Sequence, residues 1–69
     1  MDAVELMVNG TPHRAAGGSM VGDLLAQLKL DPRRVAIERN LAIVPRSEYG
    51  RTALAHGDRI EIVGFIGGG

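Results

Sequence analysis

The sequence predicts a small α+β roll, in which one helix packs across one face of a mixed sheet of about four to five strands. The chain has 69 residues, which suffice for one domain only. Strand-like alternation occurs towards both ends of the chain, and a single helical stripe of apolar residues lies between them. Because neither a helix nor a sheet buries its apolar face alone, we expect the helix to cover the sheet.

The N-terminal segment predicts a β-hairpin. Apolar side chains alternate over residues 4–8 with the period of a half-buried strand. Asn9 and Gly10 follow, and this dipeptide favours a two-residue hairpin turn because both residues tolerate positive φ. The returning strand, residues 11–15, is expected at an edge of the sheet, because Pro12 has no amide proton to donate.

One amphipathic helix is predicted over residues 20–30, where apolar residues are spaced three and four apart. Ser19 is a suitable N-cap, and Asp23 suits the positive end of the helix dipole. The helix should end before Pro32, because the residue that precedes a proline avoids the helical region.

The second half of the chain is predicted to be mostly strand. The last strand is the clearest, since charged and β-branched residues alternate along it. The expected elements are strands over residues 35–39, 43–44 and 59–63, turns at Asn40 and 56–58, and a polar irregular segment over 46–54. The expected core consists of Val4, Leu6, Val8, Leu24, Leu25, Leu28, Ile60 and Ile62.

Composition excludes several classes of function. The eight basic and eight acidic side chains cancel, so no broad basic surface for nucleic acid or an anionic membrane is expected. The absence of cysteine excludes disulfides, thiolate metal ligands and a thiol nucleophile. No signal peptide and no apolar run near the roughly 20 residues of a membrane span are visible, so a cytoplasmic location is expected. The small size favours a binding or carrier role over a self-contained active site.

Few side chains could carry chemistry, and we expect no catalytic or metal-ligating residue among them. His13 and His56 have no partner at a metal-ligand spacing. Ser19 and Ser47 lie outside any Gly-x-Ser-x-Gly motif. The loop 17–19 could bind an anion at the start of the helix, and an ordinary loop-to-helix junction is the alternative.

Charged side chains in the second half also leave alternatives open. Asp58 and Glu61 flank the start of the last strand as a conceivable catalytic pair, although carboxylates on a solvent face are the ordinary case. Asp58 is expected to hold its turn through its own side chain. A modest basic area lacks the interleaved aromatic residues of a nucleic-acid site and consists of Arg33, Arg34, Arg39, Arg46 and Arg51.

Three glycines end the sequence. One interpretation is a frayed terminus. In the other, Gly67, Gly68 and Gly69 form an arm about 10 Å long, which another protein can enclose because glycine has no side chain. The α-carboxylate of Gly69 would be ionised at neutral pH and could attack an activated phosphate. The expected organisation is a domain over residues 1–66 and a flexible tail over 67–69.

A hairpin, one helix and further strands that end in Gly-Gly resemble the ubiquitin-like β-grasp proteins. Within that group the chain resembles the ThiS-type sulfur carriers of thiamine biosynthesis, over essentially its whole length. The most specific segment is VAIERN at residues 35–40, followed by IVPR at 43–46. The other matching segments are VELMVNG at 4–10, VGDLL at 21–25, GDRIEIV at 57–63 and the terminal glycines.

The resemblance implies a carried cosubstrate and not an enzyme. An E1-like adenylyltransferase of the ThiF type would use ATP to adenylate the carboxylate of Gly69. Sulfur from a cysteine desulfurase would then give a C-terminal thiocarboxylate, and a ThiG-type thiazole synthase would accept that sulfur. Gly67 and Gly68 would give access to the partner's site. The chain itself would bind no cofactor.

Three other functions remain open at this point. The small subunit of molybdopterin synthase ends similarly, but the short chain and the IVPR segment favour thiamine biosynthesis. A protein modifier would be joined to lysines through Gly69. A pure interaction module would carry an incidental tail.

Strand parity predicts a partner-binding patch. Successive side chains of a strand point to opposite faces, so Val63 and Phe65 should point outwards with Glu61, and Met7 outwards on the first strand. Because the first and last strands are neighbours in a β-grasp sheet, Met7, Val63 and Phe65 are expected to form one apolar patch. Scattered apolar surface residues are the alternative.

Overall fold

The computed structural model describes residues 2–64, in which five strands form one sheet and one α-helix packs against it as a second layer. The elements are β1 (Ala3–Val8), β2 (Thr11–Ala16), α1 (Val21–Gln27), β3 (Val35–Arg39), β4 (Ala42–Val44) and β5 (Arg59–Gly64). Short 3₁₀ turns at Pro32–Arg34 and Arg46–Glu48 precede β3 and follow β4. No helix in this part of the chain has the length and apolar character needed to cross a bilayer.

The strands form one mixed sheet in the order β2-β1-β5-β3-β4. The central pair, β1 and β5, is parallel, and the other neighbours are antiparallel. Pro12 lies in the edge strand β2, so the sheet loses no hydrogen bond although proline has no amide proton to donate. This arrangement confirms the predicted β-grasp fold, with its helix across one face.

The core lies between α1 and the inner face of the sheet. The helix residues Val21, Leu24 and Leu25 are almost completely buried. Five of the eight predicted core residues are buried, whereas Val8, Leu28 and Ile62 are only half-buried. The other buried apolar residues are Ala15, Val35, Ile37, Val44, Tyr49 and Leu54.

The N-terminus of α1 differs from the sequence prediction. Met20, and not Ser19, is the N-cap, and the carboxylate of Asp23 accepts a hydrogen bond from the Met20 amide at 2.8 Å. The next two amides donate to main-chain carbonyls of the loop after β4, in the pairs Val21–Thr52 at 2.9 Å and Gly22–Tyr49 at 2.8 Å. Because the loop satisfies these amides, no serine cap is needed and they are not free to bind an anion at 17–19.

The helix is also shorter than the predicted span 20–30, because it ends at Gln27. Lys29 adopts a left-handed conformation with φ of 60°. The amide of Lys29 donates to the carbonyl of Ala26 at 3.0 Å, and that of Leu30 to Leu25 at 2.9 Å. These two bonds form a Schellman motif, which ends the helix well before Pro32.

The segment 46–54, predicted as polar and irregular, contributes to the core. Tyr49 is buried and donates its hydroxyl to the Val35 carbonyl at 3.0 Å. Leu54 is buried as well, and its amide donates to the carbonyl of Ser19 at 2.9 Å. The segment therefore closes the end of the core where the helix begins.

Candidate functional site at the end of β5

β5 leads to the terminal glycines, and its two edges are supported differently. Along one edge it pairs with β3 over its length, from Ile60 opposite Arg39 to Gly64 opposite Val35. Along the other edge, β1 pairs only with its start, at Arg59 and Ile60. Beyond Ile60 that second edge has no strand beside it within the described residues 2–64.

The side chain of Asn9 continues the pairing where β1 ends. Its Nδ2 donates to the carbonyl of Ile62 at 3.1 Å, and its Oδ1 accepts from the amide of Ile62 at 2.7 Å. Both main-chain groups of Ile62 are thus satisfied by a side chain. The sequence predicted only the hairpin turn for Asn9, because the preference of that turn for Asn already accounts for the residue.

Two of the predicted patch residues lie on the outer face of the sheet, away from α1. Met7 is 39% exposed and Val63 is 59% exposed. Met7 lies opposite Arg59, which is four positions before Val63 on β5, so Glu61 lies between that position and Val63 on the outer face. Phe65 lies outside the described residues, so its part in the patch stays a prediction.

The glycine tail is also beyond the described part of the chain. Gly67, Gly68 and Gly69 lie outside residues 2–64, as does the proposed boundary between residues 66 and 67. What the structure gives is the position of the strand that leads to them. That strand is fixed through Gly64 by β3 and at Ile62 by Asn9.

Asp58, immediately before β5, is a structural residue. It is only 5% exposed, and its carboxylate accepts from Arg39 Nε at 2.8 Å, Asn40 Nδ2 at 3.0 Å and the Ala55 amide at 2.8 Å. Burial raises the pKa of this carboxyl, but the bonds from Arg39, Ala55 and Asn40 outweigh burial and hold the pKa below its usual value. The prediction that Asp58 holds its turn through its side chain is confirmed, whereas the expectation that it lies on a solvent-exposed face is wrong.

The other candidate side chains form no catalytic group. Glu61 lies on the outer face of the sheet and Asp58 in the interior, so the two are not a pair. His56 is exposed, and its Nδ1 accepts from the Glu5 amide at 3.2 Å. His13 is half-buried on β2, opposite Leu6. Residues 2–64 contain no cluster of three or more His, Asp or Glu side chains that could hold a metal ion.

Ser47 lines an open surface depression with Gly50 and Arg51. The depression has a volume of about 390 Å³. Its three residues include no acid or histidine to activate the serine, so it does not form a nucleophilic site.

Solved structures define the class of this protein. The crystal structure of the thiamine biosynthesis protein ThiS from Geobacter metallireducens matches with a TM-score of 0.81 and 33% sequence identity, over 96% of this chain and 100% of that one. A solution structure of a thiamine biosynthesis protein from the same organism matches with a TM-score of 0.75. The fold is thus that of the ubiquitin-like β-grasp proteins.

The family is shown by the sequence. The ThiS family model matches residues 6–69, and this chain belongs to the ThiS family. The sulfur carrier protein ThiS of Bacillus subtilis is 43% identical over 49 residues, which are 71% of this chain and 74% of that protein.

Longer relatives carry a different name. Proteins named thiazole synthase from Paramagnetospirillum magneticum and Magnetococcus marinus are 47% and 46% identical over 66 residues. The match covers 96% of this chain and 20% of each of those proteins. This chain therefore spans about one fifth of the length of these relatives.

Proposed function

We propose that this protein is the sulfur carrier of thiamine thiazole biosynthesis and that the carboxylate of Gly69 carries the sulfur. The observation that carries the proposal is the family match, which extends over residues 6–69 and so includes the terminal glycines. The Bacillus subtilis relative, named as a sulfur carrier, supports it. These matches favour thiamine biosynthesis over the molybdopterin synthase and protein-modifier alternatives.

The proposed chemistry takes place on one carboxylate. An oxygen of the Gly69 carboxylate attacks the α-phosphorus of ATP, and pyrophosphate leaves. A persulfide from a cysteine desulfurase then attacks the acyl carbon, and AMP leaves. A second thiol attacks the resulting acyl disulfide at its distal sulfur, which forms a disulfide and frees the thiocarboxylate. The thiocarboxylate passes its sulfur to thiazole synthase.

The position of β5 supports this role. Gly69 lies five residues after Gly64, the last residue of β5. Five residues span at most about 18 Å when fully extended. The body of the domain can therefore remain outside a partner while the Gly69 carboxylate enters its site, and glycines give the narrowest chain for that purpose.

The partners follow from the proposed role. The match to one fifth of the proteins named thiazole synthase supports thiazole synthase as the acceptor, since a covalent link raises the effective concentration of a donor near its acceptor. An E1-like adenylating enzyme that uses ATP, and a desulfurase as the sulfur source, complete the proposal. Its setting is the cytoplasm, and the chain acts as a cosubstrate of these enzymes.

Deletion of Gly69 tests the proposal through ATP–pyrophosphate exchange by the adenylating enzyme. The deletion retracts the carboxylate by about 3.5 Å, and reaction requires atoms about 3–3.5 Å apart. We therefore expect exchange to fall by orders of magnitude, with an unchanged unfolding temperature.

A variant with one residue added after Gly69 tests the same requirement for tail length, and its ATP–pyrophosphate exchange should fall similarly. Near-normal exchange by the truncated protein would contradict the carrier function.

A further inference from the structure

Asn9 holds β5 along the edge that β1 leaves uncovered. Its main-chain amide donates to the carbonyl of Ile60 at 2.9 Å, and its side chain bonds the amide and the carbonyl of Ile62 at 2.7 and 3.1 Å. A carboxamide has one carbonyl and an NH₂ group, so it can take the place of a peptide group in a neighbouring strand. Asn9 therefore extends the pairing of β1 with β5 by one step, although its main chain already turns towards β2 with φ of 50°.

The turn between β3 and β4 holds the start of β5 in the same way on the opposite edge. The amide of Asn40 donates to the carbonyl of Arg59 at 2.8 Å, and its Oδ1 accepts from the amide of Arg59 at 2.9 Å. Asn40 has φ of 51°, nearly the same as Asn9. Two asparagines of the same backbone conformation thus hold β5 from both sides, at Arg59 and at Ile62.

The two asparagines act at different distances from Gly69. Arg59 lies ten residues before Gly69 and is also paired with Met7 of β1. Ile62 lies seven residues before Gly69, and within residues 2–64 only β3 still runs beside β5 at this point. Main-chain groups of a strand alternate between its two edges, so those of Ile62 point away from β3. Asn9 therefore supplies the bonds to Ile62 that no strand in this part of the chain supplies.

We propose that Asn9 is a positioning residue for the reaction of Gly69, because it keeps Ile62, and with it the end of β5, in the arrangement that the activating enzyme binds. Asn9 acts through β5 and not by contact with the enzyme. Without its side chain, the amide and the carbonyl of Ile62 would bond water, and β3 alone would hold the end of β5. The identity of the enzyme rests on the function proposed above.

Loss of the Asn9 side chain should weaken binding of the carrier and leave the chemical step unchanged. If the end of β5 is in its binding arrangement for only about a tenth to a third of the time, the apparent affinity falls about three- to tenfold. Once the carrier is bound, the chain to Gly69 has its normal length and reaches the same position. The expected signature is therefore a higher KM for the carrier with an unchanged kcat.

ATP–pyrophosphate exchange at increasing concentrations of the full chain tests the inference with N9G. Glycine removes the carboxamide and accepts a positive φ, so the turn is not strained. We expect N9G to raise the KM for the carrier about three- to tenfold and to keep kcat within about twofold of the wild type. N9D keeps an acceptor for the Ile62 amide and loses the donor to the Ile62 carbonyl, so its KM should be intermediate. In the free N9G protein, the Ile62 amide should exchange with solvent hydrogen faster than in the wild type.

N40G is the matched control, because it makes the same substitution at nearly the same φ and releases β5 at Arg59 instead. It also removes a hydrogen bond to the Asp58 carboxylate at 3.0 Å, so it should lower the unfolding temperature at least as much as N9G does. Its KM should nevertheless stay within about twofold of the wild type, and its Ile62 amide should remain protected. A purely structural role for Asn9 predicts instead that KM follows stability in both variants.

The inference alone is overturned by any of three results, provided that the wild type supports ATP–pyrophosphate exchange. N9G could keep the wild-type KM or lower kcat instead, N40G could raise KM as much as N9G does, or the Ile62 amide could exchange no faster in N9G than in the wild type. Wild-type protein that supports no exchange would contradict the proposed function together with this inference.

Discussion

Asp58 connects three parts of the chain through a single carboxylate. It bonds Arg39 of β3, Asn40 of the following turn, and the Ala55 amide at the start of its own turn. The main chain takes part as well, since the Met7 amide donates to the Asp58 carbonyl at 3.0 Å. Asp58 therefore fixes the start of β5 against both of its neighbouring strands, which determines where the chain to Gly69 begins.

Asp58→Asn is expected to lower the free energy of unfolding by about 1–3 kcal/mol at pH 7, because an NH₂ group replaces an oxygen that faces hydrogen-bond donors. The pKa of Asp58 is depressed from its usual value of 3.8. Its charge therefore contributes stability that is complete above that value and is lost as the pH falls through the folded-state pKa. Urea unfolding from pH 7 towards pH 2 should show the difference between wild type and variant shrinking.

Asp2→Asn, at an exposed position, is the control for loss of a carboxylate. If the difference caused by Asp58→Asn were constant across the same pH range, the charge of Asp58 would not be its source.

At the scale of elements, two hairpin turns of the same kind contain different residues. Asn9 and Gly10 join β1 to β2 with φ of 50° and 80°, and Asn40 and Leu41 join β3 to β4 with φ of 51° and 72°. Both are type I′ geometries, which favour Asn followed by Gly. Leu41 thus holds a left-handed conformation that is costly for a leucine, and its side chain is 81% exposed. The second turn is strained where the first is not.

Leu41→Gly is expected to raise the free energy of unfolding by about 0.5–1 kcal/mol, because the left-handed cost of leucine exceeds the entropy cost of glycine. Chemical denaturation measures the change. The converse substitution Gly10→Ala should lower the free energy of unfolding by a similar amount. A Cβ at this position would meet nothing within 4 Å, so the cost comes from the positive φ, which alanine disfavours. An unchanged or lower stability of Leu41→Gly would show that the exposed leucine stabilises the turn by contacts.

The ends of the helix could not be predicted from local sequence. Ser19 has the side chain of a good N-cap, yet carbonyls from residues 49 and 52 satisfy the first amides of α1. That loop is about 30 residues away in the sequence, so its position depends on tertiary packing. By contrast, the turn at Asn9 and the edge position of Pro12 depend on local backbone chemistry, and both were predicted correctly.

At the scale of the molecule, alternation and helical periodicity were sufficient for the fold and for the core residues Leu24, Leu25 and Ile60, but the expected core omitted Val21 and Ile37, which are as deeply buried. These patterns were insufficient to predict which side chains are neighbours on the outer face of the sheet. Glu38 lies opposite Glu61 because of the register between β3 and β5, which no local pattern encodes.

The central claim is that this protein carries sulfur on Gly69, and the mass of the protein isolated from its own cells tests it most directly. Intact-mass spectrometry with fragmentation of the C-terminal peptide should show one oxygen replaced by one sulfur, located at Gly69. A ladder of conjugates to other proteins would indicate a modifier. An unmodified Gly69 carboxylate in cells that are making thiamine, or a chain that continues beyond Gly69, would contradict the claim.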